Sequence, residues 1–227
     1  MILQVDQVSA NGNNQFEIRE NGMLLYRAHT PFYKPVIPVG GSAFRQLSLT
    51  APDGSLIVST AYDMAENLRA SAIPLSWIFT GSKQVDRYSV QNGAGQTAAR
   101  FYFEQTGAMN TRLVIEAGGR VTAGYIREVG KREVVSFYEG ERQVGQLTKP
   151  NCVTNQLDRY LLHFFDGVIA KEIAAFFVVY YDYLYHHNSG KIGVGRDIHV
   201  TYTYDKNSKK YHKDLFCSLL AKKKTPV

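Results

Sequence analysis

The sequence predicts a mainly β protein, a closed antiparallel β-barrel that encloses one hydrophobic α-helix. Strand-like segments recur about every ten residues, with Gly, Asn and Pro turn signals between them. The content of 15 Tyr and 12 Phe also favours strands, since aromatic rings pack well on a pleated surface. One late segment, IAAFFVVYYDYLYHH at 173–187, is too continuously apolar for a half-exposed strand. A chain of 227 residues is long enough to form a single barrel domain.

Two hairpins are predicted near the start of the chain. In FEIRENGMLLYR (16–27), Asn21 and Gly22 separate two apolar-rich runs. Asn-Gly is the strongest local signal for a tight turn, because both residues tolerate positive φ. The segment FRQLSLTAPDGSLIVSTAY (44–62) repeats the pattern, with Pro-Asp-Gly at 52–54 as its turn.

From 83 to 149 the chain is predicted to be a meander of short antiparallel strands. The predicted strands are RYSVQ, ARFYFEQ, TRLVIEA, VTAGYIRE, EVVSFYE and RQVGQLTK, separated by Gly and Asn-Gly turn signals. FYFE, LVIE and VVSFY show little alternation between apolar and polar residues, so these strands are expected to be buried on both faces. A sheet that closes around another element would explain that pattern.

The late apolar segment follows LDRYLLHFFDG (157–167), which is either a strand or a short helix. Apolar residues are continuous from Ile173 to Tyr181, and a helix that is apolar all round must be buried all round. Such a segment belongs in a membrane, in a two-sheet core as strands, or inside a barrel as a helix. A membrane span needs about 20 apolar residues, which this segment lacks. The absence of Gly and Pro from 168 to 187, followed by Asn-Ser-Gly, favours a buried helix at about 168–186.

This arrangement resembles the tubby C-terminal-like proteins, a group that includes the LURP-one-related proteins and the phospholipid scramblases. The FEIRENGMLLYR hairpin, RLVIEAGGRVTAGYI, VGQLTKPN and the late apolar helix are similar to features of the bacterial members. The resemblance covers about residues 16–204 and implies a barrel around a central helix. In tubby itself a basic pocket binds phosphoinositide headgroups, but no binding residue can be transferred to this chain. The family's buried helix is commonly its last element, whereas here about forty residues follow it.

The predicted organisation is one barrel domain at 1–204 and a basic C-terminal segment at 205–227. The net charge of +6 lies mostly in that segment, which holds seven lysines and two aspartates; 19 basic and 18 acidic residues remain in 1–204. The predicted binding residues are these lysines: Lys206, Lys209, Lys210, Lys213, Lys222, Lys223 and Lys224.

The basic C-terminal segment is predicted to be a short amphipathic helix. Its apolar residues share one helical side, whose members are Tyr211, Leu215, Phe216, Leu219 and Leu220. The segment either lies on an anionic membrane surface or docks this side on the barrel and leaves its lysines in solvent.

No stretch of the chain carries a recognisable catalytic signature. Asp182, His186 and His187, with His199 on the next predicted strand, could be drawn as a metal site, but a structural role at a helix end is favoured. His163 is expected to be a structural histidine, and the glycines in GKIGVGRD (190–197) are expected to form a connection. The scattered carboxylates are expected to be exposed near strand ends: Glu17, Glu104, Glu116, Glu128 and Glu139.

The sequence therefore predicts a non-enzymatic intracellular binding module, without catalytic residues, cofactor or metal, that associates with anionic lipid headgroups or an acidic partner. Cys152 and Cys217 form no metal or disulfide pattern, and no secretory signal is seen, so a cytoplasmic protein, peripheral to the membrane when bound to lipid, is expected. One alternative is an enzyme with a carboxylate and histidine pocket at a barrel end. Another is a minor nucleic-acid-binding role for HVTYTYDKNSKKYHK (199–213), although the nearly neutral barrel disfavours it.

Overall fold

The computed structural model describes residues 1–9, 14–31, 46–65, 67–68, 82–105, 111–128, 132–150 and 157–186. These residues include twelve strands and the helix α1. The elements are β1 (Ile2–Ser9), β2 (Asn14–Glu20), β3 (Met23–Thr30), β4 (Ser48–Thr50), β5 (Leu56–Tyr62), β6 (Lys83–Asn92), β7 (Thr97–Gln105), β8 (Thr111–Ala117), β9 (Arg120–Glu128), β10 (Arg132–Glu139), β11 (Arg142–Pro150), β12 (Arg159–Phe164) and α1 (Lys171–Tyr185).

The twelve strands form a closed antiparallel barrel. Each strand pairs with the next along the chain, and β1 pairs with β12 to close the cylinder, with Leu3 opposite Leu162. Closure leaves no unpaired strand edge on the sheet. The predicted barrel and its meander are confirmed, and LDRYLLHFFDG contributes a strand rather than a short helix.

The two ends of the barrel differ in how their strands are connected. At one end, which we call the turn end, short turns join β2 to β3, β4 to β5, β6 to β7, β8 to β9 and β10 to β11. The predicted Asn-Gly turn lies here, with φ of 51° at Asn21 and 84° at Gly22. At the opposite loop end, the strands flank residues 10–13, 32–45, 106–110, 129–131 and 151–156, which are outside the described residues.

Helix α1 enters the barrel at the turn end and runs to the loop end. β12 ends at the turn end, where the chain reverses through Gly167 (φ 75°) and Ala170 precedes the first helical turn. Each residue from Ile173 to Tyr183 is at most 4% exposed. The helix contacts strands around the cylinder, including β1, β3, β4, β5, β7 and β12. The predicted buried helix is confirmed, starting at Lys171 rather than near 168, and the strand interpretation of this segment is wrong.

Aromatic rings fill the space between the helix and the barrel wall. Phe177 lies edge-on to Phe101 of β7 and to Phe137 of β10, with ring centroids 5.3 Å and 5.5 Å apart. Burial of each such side chain contributes about 1.5–3 kcal/mol. A β-bulge in β6 gives Asp86 a φ of 50°, and its carbonyl accepts a hydrogen bond of 2.9 Å from the buried Tyr180 hydroxyl. No helix among the described residues is long and apolar enough to cross a bilayer.

The barrel interior requires glycine where an aromatic ring lies directly on the strand. A Cβ at Gly145 of β11 would lie 2.5 Å from Cδ1 of Phe164 and 2.7 Å from the carbonyl oxygen of His163. The ring of Phe164 also contacts Phe137, with centroids 4.9 Å apart, so it has neighbours that restrict its movement. Gly145 therefore permits this dense packing between β10 and β12.

Substitution of Phe177 by Asp should be severely destabilising. The side chain is fully buried, and an unpaired carboxylate there should lower the free energy of unfolding by more than about 4 kcal/mol. Chemical denaturation followed by circular dichroism measures the change. The matched control is Met23→Asp at a side chain that is 65% exposed, expected to cost within about 0.5 kcal/mol. Equal stability of the two variants would contradict the buried-helix assignment.

Substitution of Gly145 by Ala should lower the free energy of unfolding by about 1–3 kcal/mol, because the new methyl group collides with Phe164 and a backbone carbonyl. Gly93→Ala is the control, since a Cβ there would meet only the Leu56 carbonyl oxygen, at 3.4 Å. Thermal melting of both variants tests the difference. A Gly145→Ala protein that melted with the parent would mean that the ring is free to move aside.

Candidate functional site

Titratable side chains meet inside the barrel at the loop end, where α1 leaves the apolar core. This group is called the loop-end cluster. Its members are Glu133 of β10, Lys149 of β11, Asp158 and Tyr160 at the start of β12, and Tyr181, Asp182 and His186 at the end of α1.

The pleat of the strands places these side chains on the inner face. Glu133 shares a face with Val135 and Phe137, both core residues, and Lys149 lies directly opposite Glu133 in the β10–β11 register. Tyr160 likewise shares the inner face of β12 with the core residue Leu162. The helix then brings its last buried turn to the same level.

Asp158 and Asp182 form a buried pair of carboxyl groups. The Lys149 ammonium lies 3.0 Å from Oδ1 of Asp158, and the Tyr160 hydroxyl donates a 2.6 Å hydrogen bond to Oδ1 of Asp182. Asp182 is 0% exposed and Asp158 is 5% exposed. Burial, reinforced by the negative charge of Asp158 and a hydrogen bond with it, raises the pKa of Asp182 to about 8. At neutral pH, Asp182 therefore keeps its proton while Asp158 pairs with Lys149.

Glu133 forms the second part of the cluster. The Tyr181 hydroxyl donates a 2.6 Å hydrogen bond to Oε1 of Glu133, and Nε2 of His186 lies 2.8 Å from the same oxygen. Burial opposes ionisation of Glu133, but the hydrogen bonds and charge of its neighbours outweigh it and hold its pKa below the usual value. At the same end of the barrel, Asp182 is thus held protonated and Glu133 is held ionised.

A protonated carboxyl group beside an ionised one is an arrangement that acid–base enzymes use, provided that a substrate can reach it. Here the protonated carboxyl group of Asp182 is enclosed, because Asp182 and Tyr160 are both 0% exposed. A groove of about 220 Å³ lies instead on the outside of the barrel, across β1 to β4. Its lining includes Glu17, Arg27 and His29. The loop-end cluster is therefore suited to a structural role, in which its hydrogen bonds and ion pair fix the end of α1 in the buried interior.

The described residues do not form the metal site that the sequence left as the less favoured alternative. Asp182 and His186 do share a helical side, and the His186 N–H donates a 2.8 Å hydrogen bond to the Asp182 carbonyl oxygen. Their side chains, however, bind separate partners. The Asp182 carboxyl group bonds Tyr160 and Asp158, whereas the His186 ring bonds Glu133. Within the described ranges, no three His, Cys, Asp or Glu side chains lie close enough to hold a metal ion.

Other residues singled out in the sequence lie outside the described residues. They are the seven lysines Lys206, Lys209, Lys210, Lys213, Lys222, Lys223 and Lys224, together with His187, His199, Cys152, Cys217 and the glycines of 190–197. His163 is fully buried, on the outward face of β12 opposite Gln146.

The expectation that the scattered carboxylates are exposed is wrong for four of the five, and the side chain of Glu128 is not described. These four carboxylates are partly buried because each lies beside an arginine on a neighbouring strand or on its own strand. The pairs are Glu17 with Arg19, Glu104 with Arg112, Glu116 with Arg100, and Glu139 with Arg120. The outside of the barrel is therefore ion-paired.

Sequence reasoning missed Glu133, Lys149, Asp158 and Tyr160. A signal existed for Glu133 and Lys149, since they flank the Gly140 turn at similar distances and would face each other in a hairpin. No local sequence signal predicts the contact between Asp158 and Asp182. The two residues meet only because the chain reverses at Gly167 after β12 and the helix then runs back through the barrel.

No family model, curated protein or solved structure matches the chain. The resemblance to the tubby C-terminal-like proteins therefore stays a prediction. The roles of the loop-end residues follow from their own distances, burial and charges.

Substitution of Asp182 by Asn should make the protein more stable at pH 8 and change it least near pH 4. The pKa of Asp182 in the folded state is about 8, above its ordinary 3.8, so the folded state retains a proton that the unfolded chain loses. Stability from this group therefore falls as pH rises through that window, by up to about 1.4 kcal/mol per pH unit. Asn removes this loss, and its amide can still bond Tyr160 and Asp158.

Urea denaturation of parent and variant between pH 4 and 8.5 measures this effect. Glu141→Gln is the control, because the side chain of Glu141 is exposed and the substitution should give a nearly pH-independent difference. If Asp182→Asn had the same pH dependence as the parent, Asp182 would be ionised in the fold.

Proposed function

We propose that this protein is a non-enzymatic intracellular binding module of the tubby C-terminal-like kind. The barrel acts as a rigid carrier, and the basic C-terminal segment (205–227) associates with anionic lipid headgroups. The observation that carries this proposal is the distribution of charge between the two parts.

Many basic groups of the described barrel lie beside acidic ones. Seven arginines on the strands and Lys171 of α1 lie within 4 Å of a carboxylate, in these pairs: Arg19 and Asp6, Arg27 and Glu17, Arg87 and Asp63, Arg100 and Glu116, Arg112 and Glu104, Arg120 and Glu139, Arg159 and Asp6, and Lys171 and Glu20. Paired charges of this kind attract a distant anionic surface weakly, since their fields cancel.

The C-terminal segment has the opposite character. Seven lysines against two aspartates give it a net charge of +5 within 23 residues. Lysines near an anionic leaflet each contribute about 1 kcal/mol at low screening, so a cluster of this size is enough for reversible surface association.

The packed interior also favours a binding role over an enzymatic one. Ligand and substrate sites are concave and reachable, whereas here the barrel axis is occupied by α1, whose side chains from 173 to 183 are buried. One observation favours the alternative enzyme: perturbed carboxyl groups gather in catalytic sites as well as in structural clusters. The enclosure of Asp158 and Asp182 weighs toward the structural role.

Lipid association is tested by sedimentation with vesicles of phosphatidylcholine alone or of phosphatidylcholine mixed with anionic phosphatidylserine. The full chain should bind the anionic vesicles and lose binding as salt is raised. Replacing all seven lysines by Gln should weaken binding by more than about a hundredfold in low salt. Replacing the same seven by Arg is the matched control and should preserve binding, because the charge is retained.

Failure to bind vesicles of either composition would overturn the lipid proposal. Unchanged binding of the Gln variant would place the contact elsewhere on the molecule. Binding of single-stranded nucleic acid in the same buffer, without lipid binding, would support the nucleic-acid alternative, and salt-sensitive capture by an acidic protein would support the acidic partner.

A further inference from the structure

The outward face of strands β10, β11 and β12 is buried. Val135, Leu147 and Leu162 lie side by side in the core, so the residues adjacent to them in sequence point away from the barrel axis. Those neighbours are opposite one another in the same registers, and all three are at most 1% exposed: Ser136, Gln146 and His163.

The buried area extends along β10 and β11. Val134 and Tyr138 of β10 and Thr148 of β11 also point outward, and they are 4%, 1% and 6% exposed. We call these six residues the covered face; it consists of Val134, Ser136, Tyr138, Gln146, Thr148 and His163. Outward burial continues onto the neighbouring strands, where Tyr102 of β7, Val114 of β8 and Ala123 of β9 are 4%, 0% and 7% exposed. On the other side of the barrel, Val8 of β1 and Leu56 of β5 are 43% and 48% exposed.

Closure of the barrel does not account for this burial. Closure buries the inner face, and the described elements that contact β10 to β12 are their neighbours in the sheet and α1, which lies on the inner side. An outward residue in a single sheet layer keeps one side in solvent unless another segment lies over it. Apolar and polar residues do not alternate in VVSFY (134–138), and closure explains this only for the inward residues Val135 and Phe137. Burial of the outward residues is explained by a segment that lies over the outside of these strands.

The covered face also has unused hydrogen-bonding capacity. No described residue bonds the Ser136 hydroxyl, either end of the Gln146 amide or the Thr148 hydroxyl, although all are buried. Buried polar groups in native proteins are normally paired, because an unpaired one is costly. This face is thus suited to a segment that brings apolar side chains and some polar groups.

The position where α1 ends favours residues 187–227 as the covering segment. The described chain ends at His186, whose ring contacts Glu133, the residue immediately before Val134 on β10. Residues 187–227 therefore start at the loop end, directly beside the strands that carry the covered face. An extended chain advances about 3.3 Å per residue, so roughly ten residues are enough to span the length of an eight-residue strand.

We infer that the basic C-terminal segment docks its apolar side on the covered face of β10, β11 and β12. This side consists of Tyr211, Leu215, Phe216, Leu219 and Leu220. Lys210, Cys217 and Ala221 lie on the opposite side of such a helix and point to solvent. Docking is independent of lipid binding, and it would present the lysines of the segment from a fixed surface of the barrel.

Thiol labelling in the full-length chain tests the docking without lipid. The background carries Cys152→Ser and Cys217→Ser, and the reporter is Ser136→Cys, a nearly isosteric change on the covered face. Ser89→Cys, outward on β6 and half-buried, is the matched reporter on an uncovered strand. Labelling at Ser136→Cys should be at least about tenfold slower, because it requires local opening.

Two changes in the segment then identify the cover. Leu215→Asp with Leu219→Asp should raise the labelling rate at Ser136→Cys by about tenfold or more, since two carboxylates cannot dock on the buried face. Cys217→Asp, in place of Cys217→Ser, with Ala221→Asp adds the same two negative charges on the solvent side and should leave the rate unchanged. Thr148→Cys is the second reporter on the covered face if Ser136→Cys does not fold.

Rapid labelling of both covered-face reporters in the parent background would show that nothing stable lies over these strands. Protection that survived Leu215→Asp with Leu219→Asp would show that a different segment covers them. Either result overturns the inference, and neither depends on whether the lysines bind lipid.

Discussion

The fold depends on the burial of a helix that is apolar on every side. No single sheet or neighbouring helix can cover such a surface, so the strands must enclose it completely. Closure of β1 on β12 meets this requirement and also removes the sheet edges. The rings of Phe101, Phe137 and Phe177 then fill the space between helix and wall, and Gly145 allows Phe164 to lie against its strand.

The enclosed helix creates an electrostatic problem at the end where it leaves the core. Asp182 lies within the buried part of α1, in a place where a carboxylate would be poorly solvated. The barrel resolves this with a proton on Asp182, an ion pair between Asp158 and Lys149, and a hydrogen bond from Tyr160. The loop-end cluster is therefore explained by the burial of the helix, without a requirement for a substrate.

The outside of the barrel is divided into two regions with different chemistry. Much of the described surface carries arginine–carboxylate pairs and outward side chains in contact with solvent. The covered face is a second region, where polar and apolar side chains are buried away from the barrel axis. The described interior is filled and many charges on the described surface are paired, so our proposal assigns recognition of an anionic partner to the positively charged C-terminal segment.

The sequence alone determined the strand meander, the tight turns and the buried helix, because these depend on local signals: Asn-Gly turns, strand spacing, and a long apolar run without Gly or Pro. It did not determine which charged residues meet, since that depends on strand register and helix rotation. Only the tertiary structure brought Asp158 next to Asp182 and so raised the pKa of Asp182. It also paired carboxylates that the sequence predicts to be exposed, such as Glu116 with Arg100. Protonation and burial are properties of three-dimensional surroundings, and residues distant in sequence supply those surroundings.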